Sequence, residues 1–224
     1  MKTYYTTTRA QHYNRTWRMF SEKTHAIVLS LLTLGFQQAA RNQEHRLRIL
    51  DVGCGTGMLL ATIARLLPEA DLYGIDASQS MLTQAASLLE EDAHVHLSQA
   101  SLPKKAVAGL PFPPAFFDVM TCTNTLHYAV NPSAVLQNLK QGLAPSGWLV
   151  IEDYILRSSP FPWNALEWVI KIYDPQHVGL YTCSLIQELA QQVGFQVHHV
   201  QTFQIDLLCQ GWALLLKKTE TEEV

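Results

Sequence analysis

The most constraining feature of this chain is a buried-strand sequence that runs straight into a glycine turn. Arg46-Leu-Arg-Ile-Leu-Asp-Val52 is followed at once by Gly53-Cys-Gly55-Thr-Gly57. Glycines at alternate positions let the backbone turn sharply and let a ligand come close to the main chain, because no Cβ stands in the way. Thr56 to Leu67 then reads as a helix stopped by Pro68, and its first amides point at whatever occupies the turn. Strand, glycine turn and helix in this order belong to α/β folds that hold a ligand at the strand ends.

The rest of the chain repeats the alternation. Strand patterns fall at 71–75, 94–98, 117–121, 147–152, 195–204 and 211–217, and helical patterns at 24–41, 78–89, 132–143 and 182–193. Strands alternating with helices imply a mostly parallel sheet covered on both faces. The last two strands have no helix between them, so one of them runs antiparallel. The expected fold is therefore α/β, a Rossmann-like doubly wound sheet of seven strands with an antiparallel last strand and a small helical cap. A single domain is expected over 1–218, with an N-terminal arm or lid at 1–23, a cap insertion at 154–181 and a disordered tail at 219–224.

Composition narrows the class. The 224 residues are 48% hydrophobic and 16% charged, with a net charge of −3. This is an ordinary globular balance, without the global basic field that recruits nucleic acid. Residues 1–25 differ, with five Lys or Arg against one Glu. The longest apolar stretch, 26–36, is shorter than a spanning helix needs and is broken by Ser30, Thr33 and Gly35. Cys54, Cys122, Cys183 and Cys209 form no C-x-x-C pair. No metal site is therefore expected, and a reducing cytoplasm is the expected compartment.

The chemistry gathers at the strand ends. Asp76 closes the second strand, 23 positions after Gly53. A carboxylate there can accept both hydroxyls of a ribose. Turn and acid together suit either a dinucleotide or adenosylmethionine, and two features separate these. In G-x-G-x-x-G the third glycine would stand at position 58, where this chain has Met58. Asp51, beside the turn, would repel a pyrophosphate but attract the ammonium of a methionine moiety.

These residues carry a resemblance. Ile49-Leu-Asp-Val-Gly-Cys-Gly-Thr-Gly57 resembles the first motif of class I S-adenosylmethionine-dependent methyltransferases, within the small-molecule subgroup that includes the quinone-biosynthesis enzymes. Gly74-Ile-Asp76-Ala-Ser-Gln-Ser-Met81 is similar to the second motif, and Phe117 to Tyr128 to the fourth-strand motif ending in Leu-His. The resemblance implies S-adenosyl-L-methionine as cofactor, held by Asp51, Gly53, Cys54, Gly55, Asp76, Ala77, Met81, Gln99, Ala100 and Cys122. Gln99 stands where the family has an acid that reads the adenine edge. The loop 101–116 is longer than the resemblance suggests, and Asn124 and Thr125 replace apolar residues, giving the pocket a polar wall.

The acceptor pocket is expected from two aromatic-rich segments. One is the arm, contributing Tyr13 and Trp17; the other follows the fifth strand and holds Phe161, Trp163, Trp168, Tyr173, His177 and Tyr181. Such long insertions in α/β domains are usually functional. The arm is expected to close over a small, aromatic or lipophilic acceptor, with Tyr128 and His127 beside it. His127 is either a general base or a residue that shapes the pocket. The chain is expected to be a monomer or homodimer. Methyl transfer to an O, N or C nucleophile is the leading expectation. A non-catalytic cofactor binder and, further behind, a nicotinamide oxidoreductase are the alternatives.

Overall fold

The computed structural model describes residues 6–39, 46–90, 94–102, 105, 109–156, 171, 172, 174 and 176–219. Two helices open the chain, α1 (Thr7–Thr16) and α2 (Arg18–Ala39). The alternating part follows: β1 (Arg48–Val52), α3 (Met58–Leu66), β2 (Asp71–Asp76), α4 (Gln79–Leu88), β3 (Val95–Gln99) and β4 (Phe117–Thr123). A 3-10 turn at Leu126–Tyr128 leads to α5 (Pro132–Gly142) and β5 (Leu143–Leu156). The last elements are α6 (Cys183–Val193), β6 (Phe195–Gln204) and β7 (Cys209–Lys218).

Local chemistry sets the helix starts. Ser78, Asn131 and Thr182 are N-caps whose side-chain oxygens accept from Met81, Ala134 and Leu185 amides. These oxygens satisfy donors that the helix itself leaves open. Pro132 occupies the first turn of α5, where its missing N–H costs nothing.

The seven strands lie in the order β3-β2-β1-β4-β5-β7-β6. β1 to β5 pair in parallel, and β7 runs antiparallel to both β5 and β6. This is the Rossmann-like α/β sheet with an antiparallel last strand. That strand is not at the edge: β7 slots between β5 and β6. Its run Gly211–Leu216 is buried throughout, whereas β6 alternates with exposed Gln and His residues and takes the edge. The strand order reverses between β1 and β4, and in such sheets the crevice at that point takes the ligand.

Two apolar layers hold the sheet. On one face Leu50, Met120, Leu149 and Trp212 pack with Val135 and Leu139 of α5 and Ile186 of α6. On the other, Ile49, Val119, Trp148 and Val150 pack with Leu31 and Leu32 of α2 and Leu60 and Ile63 of α3. Each Leu or Ile fully removed from water contributes about 1.5–3 kcal/mol.

The arm, which precedes the first helical pattern legible in the sequence at 24–41, has regular structure. It is helical, and α2 begins six residues earlier than the apolar spacing alone suggests. Its first turns carry too few apolar residues for a periodic signal, and contacts with the domain decide the conformation. Most of the expected cap, and Phe161, Trp163, Trp168 and Tyr173 within it, lies outside the described residues, as do Tyr4, Tyr5 and the tail beyond Thr219.

The docking of α2 is testable. Leu32 is fully buried, while Leu34 is 46% exposed. Leu32→Ala is expected to cost about 2–5 kcal/mol in denaturant unfolding. Leu34→Ala is expected to stay within about 0.5 kcal/mol of the parent.

Candidate functional site

The turn after β1 is the floor of the site. Gly53 and Cys54 both donate their amides to the Ile75 carbonyl (2.8 and 3.0 Å), which ties the turn to β2. Gly53 sits at φ +76°, and a Cβ there would lie 2.2 Å from Thr125 Oγ1. Only glycine lets the turn lie against the segment after β4. Gly55, at φ +54°, faces open space instead. That space is a cavity of about 600 Å³ bounded by this turn, the end of β2, the segment after β4 and α1–α2.

Two carboxylates line it. Asp51 is only 3% exposed, and its Oδ1 accepts from Thr121 Oγ1 at 2.7 Å. Burial pushes its carboxyl up to about 7; the Thr121 hydrogen bond opposes this and the Asp76 charge adds to it. Asp76 accepts from the Gly55 amide (3.0 Å) through Oδ2 and from the Ser78 amide (2.7 Å) through Oδ1. Burial also raises its pKa, against those two hydrogen bonds. Among the described residues no Lys or Arg lines the cavity. His25 of α2 lines it, but burial pushes its pKa down to about 4, so it is uncharged at neutral pH. The cavity therefore favours a cation over an anion.

Most residues singled out from the sequence meet here. Asp51, Gly53, Cys54, Gly55, Asp76, Ala77, Met81 and Ala100 all line the cavity, as do Tyr13 and Tyr128. Gln99 does not line the cavity: it is exposed at the end of β3, with its Nε2 donating to the Ala77 carbonyl at 2.9 Å.

Three expectations are corrected. Cys122 does not reach the cavity: β4 is buried along its whole length, and Cys122 lies in the apolar layer with Leu50 and Leu126. Trp17 is 47% exposed and sits edge-to-face with Phe20 rather than in the pocket, because it stands at the junction of α1 and α2 and points outward. His127 does not line the cavity either. It is buried, its backbone amide and Nδ1 both 2.9 Å from Asp153 carboxylate oxygens, and its ring lies against Tyr128, Tyr154 and His177. Its carbonyl accepts from the Val178 and Gly179 amides, which ties it beneath the segment after the cap.

Several cavity residues were not legible in advance. Ser21 and His25, four apart on α2, line it, and Asn14 receives the Thr56 hydroxyl at 2.5 Å, which clips α1 to the glycine turn. Their signal in the sequence is slight, since a polar face on a helix ordinarily means solvent. Asp153 of β5, the partner of His127, is buried and does not line the cavity.

Residues 25–200 match the family model described as a methyltransferase domain. The chain belongs to this family. α1 and β7 lie outside the matched span. The uncharacterized methyltransferase YcgJ of Bacillus subtilis is 24% identical over 183 residues, 81% of this chain and 69% of that protein. The YcgJ crystal structure superposes with a TM-score of 0.65 at 18% identity, covering 86% of this chain and 99% of that one. A ubiquinone biosynthesis O-methyltransferase of Paraburkholderia phymatum is 35% identical over 102 residues, 46% of this methyltransferase and 42% of that enzyme. Phosphoethanolamine N-methyltransferase 2 of Haemonchus contortus, solved with S-adenosyl-L-methionine, superposes with a TM-score of 0.74 at 17% identity. That alignment covers 98% of this chain and 59% of that one. The likeness to both solved structures is one of fold. The chain spans less than half the length of the ubiquinone enzyme and, at 41%, of an uncharacterized methyltransferase of Schizosaccharomyces pombe.

The buried Asp51 makes this methyltransferase's stability depend on pH. Its carboxyl titrates near 7 when folded, against 3.8 as a free side chain. The folded state therefore holds the extra proton between these values, and stability from this group falls as pH rises through that window. Asp51→Asn is expected to melt several degrees above the parent at about pH 8. Below about pH 4 the difference disappears, and calorimetric scans at both pH values check it.

Proposed function

We propose that this methyltransferase moves the methyl group of S-adenosyl-L-methionine to a small-molecule acceptor by in-line displacement. The observation that carries the reading is Asp51, a nearly buried carboxyl beside the glycine turn in a cavity that no described Lys or Arg lines. Such a group attracts the cofactor's ammonium and repels a dinucleotide's pyrophosphate. Asp76 receives the ribose hydroxyls on the lone pairs that its two backbone amides leave open. Gly53, Cys54 and Gly55 leave room for the methionine moiety, and Ala77, Met81 and Ala100 form the wall toward the adenosine.

When bound, the cofactor supplies an electrophilic methyl on a sulfonium, which leaves as a neutral thioether. The protein's part is alignment and the exclusion of water, and well-aligned reactants save about 7–11 kcal/mol of the barrier. Tyr13 on α1 and Tyr128 after β4 bound the acceptor side, and the Asn14–Thr56 hydrogen bond holds α1 over the turn. The apolar and aromatic lining suits an aromatic or lipophilic acceptor. His127, fixed by Asp153 and packed behind Tyr128, positions that wall rather than taking a proton from the acceptor. Among the described residues no helix is long and apolar enough to cross a membrane.

Calorimetry tests the cofactor site. S-adenosylmethionine and S-adenosylhomocysteine are expected to bind with micromolar affinity and NAD not at all. Asp76→Ala is expected to weaken both by about tenfold or more, since hydrogen bonds to a charged acceptor are worth about 1.5–3 kcal/mol each. Tighter binding of NAD would overturn the reading. Labelled methyl transfer into a metabolite extract is expected to yield a product; tight cofactor binding with no transfer would leave a binding protein instead of an enzyme.

A further inference from the structure

The parallel strands all end on one side of the sheet, and the cavity opens there. The first turns of α2 cross that side. Asn124 after β4 donates through Nδ2 to Thr24 Oγ1 at 3.1 Å, the Phe20 ring meets Tyr154 of β5 edge-to-face, and Lys23 Nζ donates to the Ile205 carbonyl after β6 at 2.5 Å. The turn between β6 and β7, residues 206–208, is thereby brought beside the start of α2.

This side carries large apolar side chains that the fold leaves in water. Met19 is 75% exposed and Leu207 85%, and Trp17 and Leu208 are exposed as well. Met19 and Lys23 stand one turn apart on the same face of α2, and Lys23 joins that face to the turn. Asp206 Oδ1 accepts from the Leu208 and Cys209 amides at 2.7 Å each, which fixes the turn with both leucines outward. Val130 and Val178, also exposed, line the cavity at its mouth. Single exposed apolar residues are ordinary, but a group of them beside a cavity mouth marks a contact surface.

Charge decides what this surface meets. Residues 1–25 hold five Lys or Arg against one Glu, although the chain as a whole stands at −3. Arg15, in the last turn of α1, is exposed, and Arg18 opens α2, so basic residues stand on both sides of Trp17. Lys23 follows one turn after Met19. The acids beside them are Glu22 and Asp206, and the Leu208 and Cys209 amides already engage Asp206. A protein partner favours a patch with few charges at its centre, whereas here basic residues are interleaved with the apolar ones. That mixture fits the boundary of a bilayer. Leucines and methionine reach the acyl chains, the indole lies at headgroup level, and the cations meet anionic headgroups. We propose that this surface docks the protein on an anionic lipid bilayer, with the mouth of the cavity toward the membrane. The docking goes beyond the methyl-transfer reading and does not depend on it. It gives the open side of the cavity a lipid phase from which to draw an apolar ligand.

Sedimentation of the full chain with vesicles of phosphatidylcholine and phosphatidylglycerol tests this, against vesicles of phosphatidylcholine alone. The mixed vesicles are expected to bind the chain about tenfold or more tightly than the neutral ones, and added salt is expected to weaken that binding. Leu207→Asp combined with Leu208→Asp is expected to weaken it by about tenfold or more, with the melting temperature of the parent retained. Met19→Asp, on the other element, is expected to act in the same way. Failure to bind the mixed vesicles, equal binding to both kinds, or binding that neither variant weakens overturns the proposal. So does a dimer of the parent chain, seen by equilibrium ultracentrifugation, that both variants dissociate, because a second copy would then cover the surface.

Discussion

The contact between Gly53 and Thr125 is the constraint on which the site depends. Thr125 occupies the space that a Cβ at position 53 would need, and its hydroxyl is held by the Thr123 carbonyl at 2.9 Å. The turn after β1 and the segment after β4 are therefore locked together where the strand order reverses. That lock sets Asp51, Gly55 and Asp76 on one side of a single cavity and Thr123, Asn124 and Tyr128 on the other. Two apolar layers make the sheet, but this contact gives its crevice a fixed width.

The electrostatics of the crevice are one-sided by construction. Asp51 and Asp76 line it from the ends of β1 and β2, and burial raises both carboxyls. A fold optimised for stability alone would not place acids there, because an isolated buried charge is costly. Their placement matches a cavity whose ligands bring positive charge with them. The neighbouring histidine, His25, is kept neutral by the same burial and does not cancel the field.

The N-terminal helices complete the enclosure with different means. α2 is part of the core, since Val28, Leu31 and Leu32 pack on Trp148 and Val150. α1 adds only Ala10 to the buried set and is held by polar contacts, among them Asn14 to Thr56. α1 is thus joined to the glycine turn by a polar contact, whereas α2 is packed into the core.

By itself the sequence determined the parts of this protein whose signal is local. Seven strands, the helices after them and the caps Ser78, Asn131 and Thr182 follow from periodicity and short-range hydrogen bonding. The glycine turn and its two acids were legible too, because they lie within one strand-turn-helix unit and the strand beside it. Tertiary structure decided the rest. β7 enters between β5 and β6 because its apolar run needs cover on both faces, and pairing partners are not encoded in local pattern. Cys122 and His127 follow the motif yet are withdrawn from the cavity by the burial of β4 and by Asp153. Ser21 and His25 became part of the site only when α2 was brought against β4. Such residues carry no signal along the chain, because the neighbours that give them their chemistry are as much as a hundred positions away, as Asn124 is from Thr24.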